Sequence, residues 1–277
     1  MKACVAQDSR MSENDQTIHF DDGRAYERFM GLWSQRVGDA FIDWLTPVQG
    51  ARWLDVGCGN GAFTERVVLH TAPSMVHGID PSEPQLVYAR ARGTTANATF
   101  QLGDAMALPY DAHSFDIAVM PLVLFFVPEP AVGVSEMARV VVPGGAGAAY
   151  AWDMEGGGFP YAALHDAARA FGMPVPQPPH PEASRLDVMQ DLWSRSGLAD
   201  ITLHAITVQR TFDNFDDYWA TVVGGPSAGQ AMRRSDPSVV EELRGRMREV
   251  LPADSHGRIT CDARAHAVRG TVLAPLR

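Results

Sequence analysis

One stretch constrains the chain more than any other. Leu54-Asp55-Val56-Gly57-Cys58-Gly59-Asn60-Gly61 is a short apolar run, then Gly-x-Gly-x-Gly, then residues that favour a helix. A strand followed at once by so glycine-rich an elbow is a βα turn. Glycine there lets the backbone bend sharply and lets a ligand approach with no Cβ in the way. In an open α/β sheet, ligands bind beyond the carboxyl ends of the strands, where this elbow lies. Taken alone the elbow is also compatible with a tight turn that binds nothing.

The flanking periodicity supplies the sheet. Short apolar runs at 51–56, 75–79, 100–102, 116–120 and 146–152 alternate with helical patterns. Among these patterns is the i, i+3, i+4, i+7 stripe of Val134, Met137, Ala138 and Val141, which Pro143-Gly144-Gly145 is expected to end. Ser82 and Gln85 stand at capping-box spacing before the helix at 87–91. Such alternation implies right-handed crossovers and a parallel sheet covered on both faces. Helix spacing also recurs in Phe29, Met30, Trp33, Val37 and Phe41. After residue 152 come a Gly/Pro/Ala-rich segment (153–184), a helix, an alternating strand at 201–208, a helical region (213–256) and a last strand near 260–272. The expected fold is an α/β sheet of seven strands with helices on both faces and a helical cap. Residues 1–19 read as a flexible tail and 20–277 as one domain, with cap insertions at about 153–184 and 213–256.

Composition narrows the partners. Lys and Arg number 23 against 33 Asp and Glu, a net charge of −10, which repels phosphate backbones and anionic membranes. No nucleic-acid or membrane partner is expected. Three scattered cysteines make neither a disulfide framework nor a metal site and fit a reduced cytoplasmic setting. The longest apolar run, 117–127, contains Pro121 and falls short of the roughly 20 residues of a spanning helix. The polar N-terminus shows no signal-peptide pattern.

Two more carboxylates stand at strand ends. Asp80 follows the second strand, 25 positions after Asp55, where it can accept both ribose hydroxyls of a nucleoside or merely cap a helix. Asp104, in Gly103-Asp104-Ala105, can read an adenine edge with its neighbouring amide, or simply make a turn. The ordered trio is far more specific than any member.

On Leu54–Gly61, Gly78-Ile-Asp-Pro-Ser82, Gly103-Asp-Ala-Met-Ala-Leu-Pro109, Ser114-Phe-Asp116 and Glu136-Met-Ala-Arg-Val-Val-Val-Pro-Gly-Gly145, the chain resembles the class I S-adenosylmethionine-dependent methyltransferases. It is most similar to the small-molecule branch that includes the ubiquinone/menaquinone-biosynthesis type. The resemblance is strong over residues 24–152 and looser beyond. It implies a Rossmann-like, seven-stranded mixed sheet whose last strand is antiparallel, S-adenosyl-L-methionine as cofactor and a small-molecule O, N or C nucleophile as acceptor. It further implies that Asp55, Gly57 and Gly59 line the methionine part, that Asp80 holds the ribose with Pro81 beside the adenine, and that Asp104 and Ala105 contact the adenine edge. The resemblance implies as well that Met120 lies beside the sulfonium and that Tyr26 closes over the cofactor's carboxylate. Pro121-Leu122 departs from relatives that are more polar there.

Trp33, Trp152, Tyr161 and Trp219 are expected at an apolar acceptor pocket, though each also suits plain cap packing. His165 and His180 fall in the cap, but no residue is singled out as a required base. A monomer or homodimer is expected. Two rival readings remain. An NAD-dependent oxidoreductase could use Asp80 on its ribose, with Ala62 filling the last place of G-x-G-x-x-G/A. A non-catalytic cofactor-binding homologue would keep the same residues.

Overall fold

The computed structural model describes residues 27–95 and 97–273. The expected tail and Tyr26 lie outside the described residues.

Seven strands form one sheet in the order β3-β2-β1-β4-β5-β7-β6. They are β1 (Arg52–Val56), β2 (Met75–Asp80), β3 (Ala98–Leu102), β4 (Phe115–Pro121), β5 (Val141–Trp152), β6 (Leu198–Phe212) and β7 (Ile259–Val272). β1 pairs in parallel with β2 and β4, as do β2 with β3 and β4 with β5. β7 is antiparallel to both β5 and β6, between which it sits. The expected mixed sheet with an antiparallel last strand is therefore the observed one.

The central strands are buried along nearly their whole length, as a sheet covered on both faces requires. The edge strand β6 alternates between half-buried and exposed positions. Helices α1 (Leu32–Leu45), α2 (Ala62–Thr71), α3 (Glu83–Ala91), α4 (Pro130–Val140) and α6 (Leu186–Arg195) connect or flank these strands. Helix α5 (Ala162–Ala170) follows β5, and α7 (Phe215–Val223), α8 (Ala228–Arg234) and α9 (Pro237–Val250) join β6 to β7. Because β6 runs parallel to β1, the α7–α9 connection leaves the sheet at the edge that carries the glycine elbow.

Two local expectations differ. Pro143-Gly144-Gly145 does not end α4. The helix stops at Val140, β5 starts at Val141, and the three residues fill a register shift where Phe115 pairs Val141 but Ile117 pairs Ala146. Proline lacks the ladder donor, and Gly144 takes φ 83°, so both suit a bulge. Ser82 occupies the N-cap of α3 without a side-chain cap; instead its N–H donates to Asp80 Oδ1 at 2.9 Å.

Charged residues of the family-like motifs brace the far end of the sheet. Asp116 accepts from the Arg52 amide (2.8 Å), Nε (3.1 Å) and Nη2 (2.8 Å), fastening β4 to β1. Arg139 donates to the carbonyls of Leu108 and Tyr110 while Glu136 accepts from the Leu108 amide, which fixes the β3–β4 connection. On the other flank, Asp153 and Gly158 exchange backbone bonds with Arg264 of β7, and Arg264 Nη2 reaches Asp153 Oδ2 at 2.6 Å. The segment after β5 is thereby stitched to the sheet.

Helix α6 is held by one residue above all. Trp193 is fully buried, donates to the Gly147 carbonyl at 2.8 Å, and lies so close to Gly270 that a Cβ there would meet its Cδ1 at 2.9 Å. Trp193→Ala is expected to cost about 3–5 kcal/mol through cavity formation and the orphaned carbonyl. Urea unfolding measures it, and a loss below about 1 kcal/mol would show that α6 is anchored elsewhere.

Candidate active site

The glycine elbow opens onto a cavity of about 250 Å³ at the carboxyl ends of β1, β2 and β4. This is where the strand order reverses between β1 and β4. Gly57 takes φ 74°, and a Cβ on it would stand 2.4 Å from Val123 Cγ2, so side chains are excluded on two counts. Gly59 takes φ 51° with open space where a Cβ would go, so its requirement is conformational freedom and clearance beside the cavity.

Most of the elbow's own amides are spent inside the protein. Gly57 and Cys58 both donate to the Ile79 carbonyl, at 2.7 and 3.0 Å, and Gly61 donates to Cys58. Gly59 N–H donates to Asp80 Oδ2 at 2.8 Å, and Ala62 to Asn60 Oδ1 at 3.2 Å. Five donors that could cradle a pyrophosphate are thus engaged. Asp80 holds the elbow through Gly59 with one oxygen and the start of α3 through Ser82 with the other.

Two buried carboxylates, Asp55 and Asp80, line the cavity, and none of its described lining residues is Lys, Arg or His. Asp55 Oδ2 accepts from Thr64 Oγ1 at 2.6 Å, whereas its Oδ1 is buried without a partner. Burial pushes the Asp55 carboxyl up to about 7; the Thr64 hydrogen bond works against this and the nearby Asp80 charge adds to it. Burial likewise raises Asp80, opposed by the amides of Ser82 and Gly59.

The structure brings Asp55, Gly57, Gly59, Asp80 and Pro81 together at this cavity. Asp104, Ala105 and Met120 are not among its lining residues. Asp104 is exposed, closes its own turn by accepting from the Met106 amide at 2.8 Å, and, like Ala105, is not a lining residue. Met120 is fully buried in the core, and its ε-methyl lies 3.1 Å from where a Gly133 Cβ would be; Pro121, Leu122 and Val123 line the cavity instead. The reason is strand alternation together with Leu122, whose φ of 61° turns the chain at the end of β4. Residues that sequence reasoning passed over include Ser34, Phe63, Gln85, Phe126 and Tyr150, which reach the cavity from five other elements. The one available signal was the apolar Pro121-Leu-Val-Leu-Phe-Phe126 run after β4.

A second cavity, about 60 Å³, shares Leu122 and Phe126 with the first. Trp152 and His165 line it. Trp33 and Tyr161 are core residues: Trp33 Nε1 donates to Tyr161 Oη (3.0 Å), which donates to the Phe29 carbonyl (2.7 Å). Trp219 stacks on Phe215, with centroids 6.0 Å apart, and reaches neither cavity. His180 is bound to Glu182 and to the Pro128 carbonyl and lines neither. Among the described residues no cluster could hold a metal ion, and no helix is long and apolar enough to cross a membrane.

Residues 54–149 match a family model described as a methyltransferase domain. The chain is 34% identical over 118 residues to a ubiquinone/menaquinone biosynthesis C-methyltransferase of Roseobacter denitrificans, covering 41% of this chain and 46% of that protein. It is 35% identical over 136 residues to a malonyl-[acyl-carrier protein] O-methyltransferase of Erwinia billingiae, covering 48% and 52%. These matches span about half the length of the curated relatives. The fold resembles that of Haemonchus contortus phosphoethanolamine N-methyltransferase 2, solved with S-adenosyl-L-methionine, at TM-score 0.58 and 16% identity, covering 94% of this chain and 59% of that one. Over residues 54–149 the chain is thus similar to a methyltransferase domain.

Proposed function

We propose that the chain transfers a methyl group from S-adenosyl-L-methionine to a small-molecule nucleophile, with Asp55, Gly57, Gly59, Asp80 and Pro81 at the cofactor. The observation that carries this reading is the pair of buried carboxylates on a cavity with no basic residue among its described lining, beside an elbow whose Gly57, Cys58, Gly59 and Gly61 amides are already used. Such a site favours a cationic nucleoside and disfavours the pyrophosphate of a dinucleotide, which needs free amides or basic groups. NAD binding is the weaker alternative for that reason.

When bound, the cofactor supplies a sulfonium-activated methyl group, so the protein's part is chiefly positioning and exclusion of water. Asp80, already ordered by two amides, stands where it can accept ribose hydroxyls. Asp55 presents carboxylate charge to the cationic end. Leu122 and Phe126, common to both cavities, form the passage between cofactor and acceptor. Asp104 and Ala105 can join an adenine site only from outside the cavity wall, and Met120 only from beneath it. The relatives' named acceptors differ, so the acceptor atom, O, N or C, is decided by product analysis.

Asp80→Ala is expected to weaken S-adenosylmethionine binding in calorimetry by about 1–3 kcal/mol, since a charge-assisted acceptor and the elbow's anchor are both lost. Unchanged affinity, or tight NADH binding by the parent protein, would contradict the reading.

Asp55 predicts a pH dependence. A bound cation favours the ionised carboxylate, so below pH about 7 binding must release the Asp55 proton. Affinity for the cofactor is expected to rise about tenfold from pH 6 to pH 8 and to level off above. Asp55→Asn should flatten this profile. It should also stabilise the empty protein above pH 7: the folded-state carboxyl is raised from 3.8 to about 7, so stability is lost as pH rises through that window. A flat parent profile in calorimetry would remove Asp55 from the site.

A further inference from the structure

We propose that the second cavity recognises its ligand through the His165–Ser227 couple, and that this ligand is an electrically neutral, apolar molecule bearing one hydroxyl or carbonyl oxygen. Calling that ligand the methyl acceptor rests on the methyl-transfer reading; the chemistry of recognition does not.

The cavity walls are apolar. Phe29, Phe125 and Phe159 contribute rings, and Pro176, Pro178 and Pro226 contribute rigid hydrocarbon. No Asp, Glu, Lys or Arg is among its described lining residues. An ionised carboxylate, phosphate or ammonium would therefore enter without a countercharge, which low-polarity surroundings penalise heavily. The one polar pair on the wall is His165 of α5, whose Nε2 lies 2.9 Å from the Oγ of Ser227 at the start of α8. Both residues are buried, and Phe159 packs against the imidazole with centroids 4.8 Å apart.

Histidine can carry charge, so its state matters. Burial lowers the His165 pKa to about 3, and the nearby Arg169 charge acts in the same direction. The imidazole is neutral at physiological pH and offers no cation to an anionic ligand. A neutral pair has a different use. If the serine hydroxyl donates to Nε2, its oxygen lone pairs accept from a ligand hydroxyl. If Nε2–H donates to the serine oxygen, the hydroxyl proton turns to a ligand carbonyl. One couple thus reads either neutral oxygen function and leaves a charged group unpaired. Polar recognition of this kind discriminates more sharply than methylene packing, because a ligand lacking the group leaves buried partners unsatisfied.

The test uses the full chain loaded with S-adenosylhomocysteine and three probes of one shape: 4-propylphenol, 4-propylbenzoate and propylbenzene. At about pH 7.5 the phenol is neutral and the benzoate ionised. Ligand-observed NMR titration should show the phenol binding at least about tenfold more tightly than the benzoate and several-fold more tightly than propylbenzene. Ser227→Ala should erase the preference of phenol over propylbenzene while propylbenzene affinity persists, and His165→Phe should do the same. If the histidine variant does not fold, the serine variant alone decides. Benzoate binding as tight as phenol, failure of the phenol to bind, or an intact phenol preference in Ser227→Ala would each overturn the proposal. Failure of S-adenosylhomocysteine to bind, with the phenol preference intact, would overturn the methyl-transfer reading and leave the recognition standing.

Discussion

Two carboxylates buried side by side at the ends of β1 and β2 are the costly feature around which this protein is arranged. Charge in a low-polarity cleft is tolerated only when it is neutralised, hydrogen-bonded or awaiting a partner. Here all three occur. Asp80 is satisfied by two amides, Asp55 is half satisfied by Thr64 and pushed towards neutrality, and the space beside them has no basic side chain among its described walls. The glycine elbow takes its shape from the same arrangement, since Gly59 is tied to Asp80. A site that keeps unpaired negative charge ready is built for a cation, and its empty state is less stable for it.

The division of labour along the sheet follows from this. Carboxylate–arginine contacts at the other end, Asp116 with Arg52 and Glu136 with Arg139, are paired and brace the strands. At the carboxyl end the carboxylates face a cavity. Beyond Leu122 and Phe126 the surroundings change from acidic to apolar, with a neutral histidine–serine couple as the chief polar feature. Two chambers of opposite character meet at two shared side chains, which matches a reaction between a charged donor and a less polar acceptor. Leu122 sits at that meeting point in a left-handed backbone conformation that leucine seldom adopts.

Much of the fold was legible because its signals are local. The runs around Leu54, Ile79 and Val119 identify buried parallel strands, and the elbow after Val56 marks the ligand edge. The sites at Asp55, Gly57, Gly59, Asp80 and Pro81 could be placed because each directly follows or ends a strand, so sequence position nearly fixes spatial position. Met120 and Asp104 show where that logic stops. Strand alternation and a turned Leu122 point Met120 into the core, and a local turn consumes an oxygen of Asp104. Ser34 and Tyr150 could not be read forward, because they reach the cavity only through long-range packing, whereas the Phe125–Phe126 pair left a trace in the apolar run after β4. His165 was discernible only as a cap histidine; its partner Ser227 lies 62 residues away.

The central claim is that the cavity beside Asp55 and Asp80 holds an adenosyl nucleoside with its cationic or thioether end towards Leu122. A crystal structure of the protein soaked with S-adenosylhomocysteine tests it most directly. The account predicts ribose hydroxyls within hydrogen-bonding distance of the Asp80 carboxylate and the sulfur facing the Leu122–Phe126 boundary. Density for the nucleoside elsewhere, or a ribose that leaves Asp80 untouched, would contradict it.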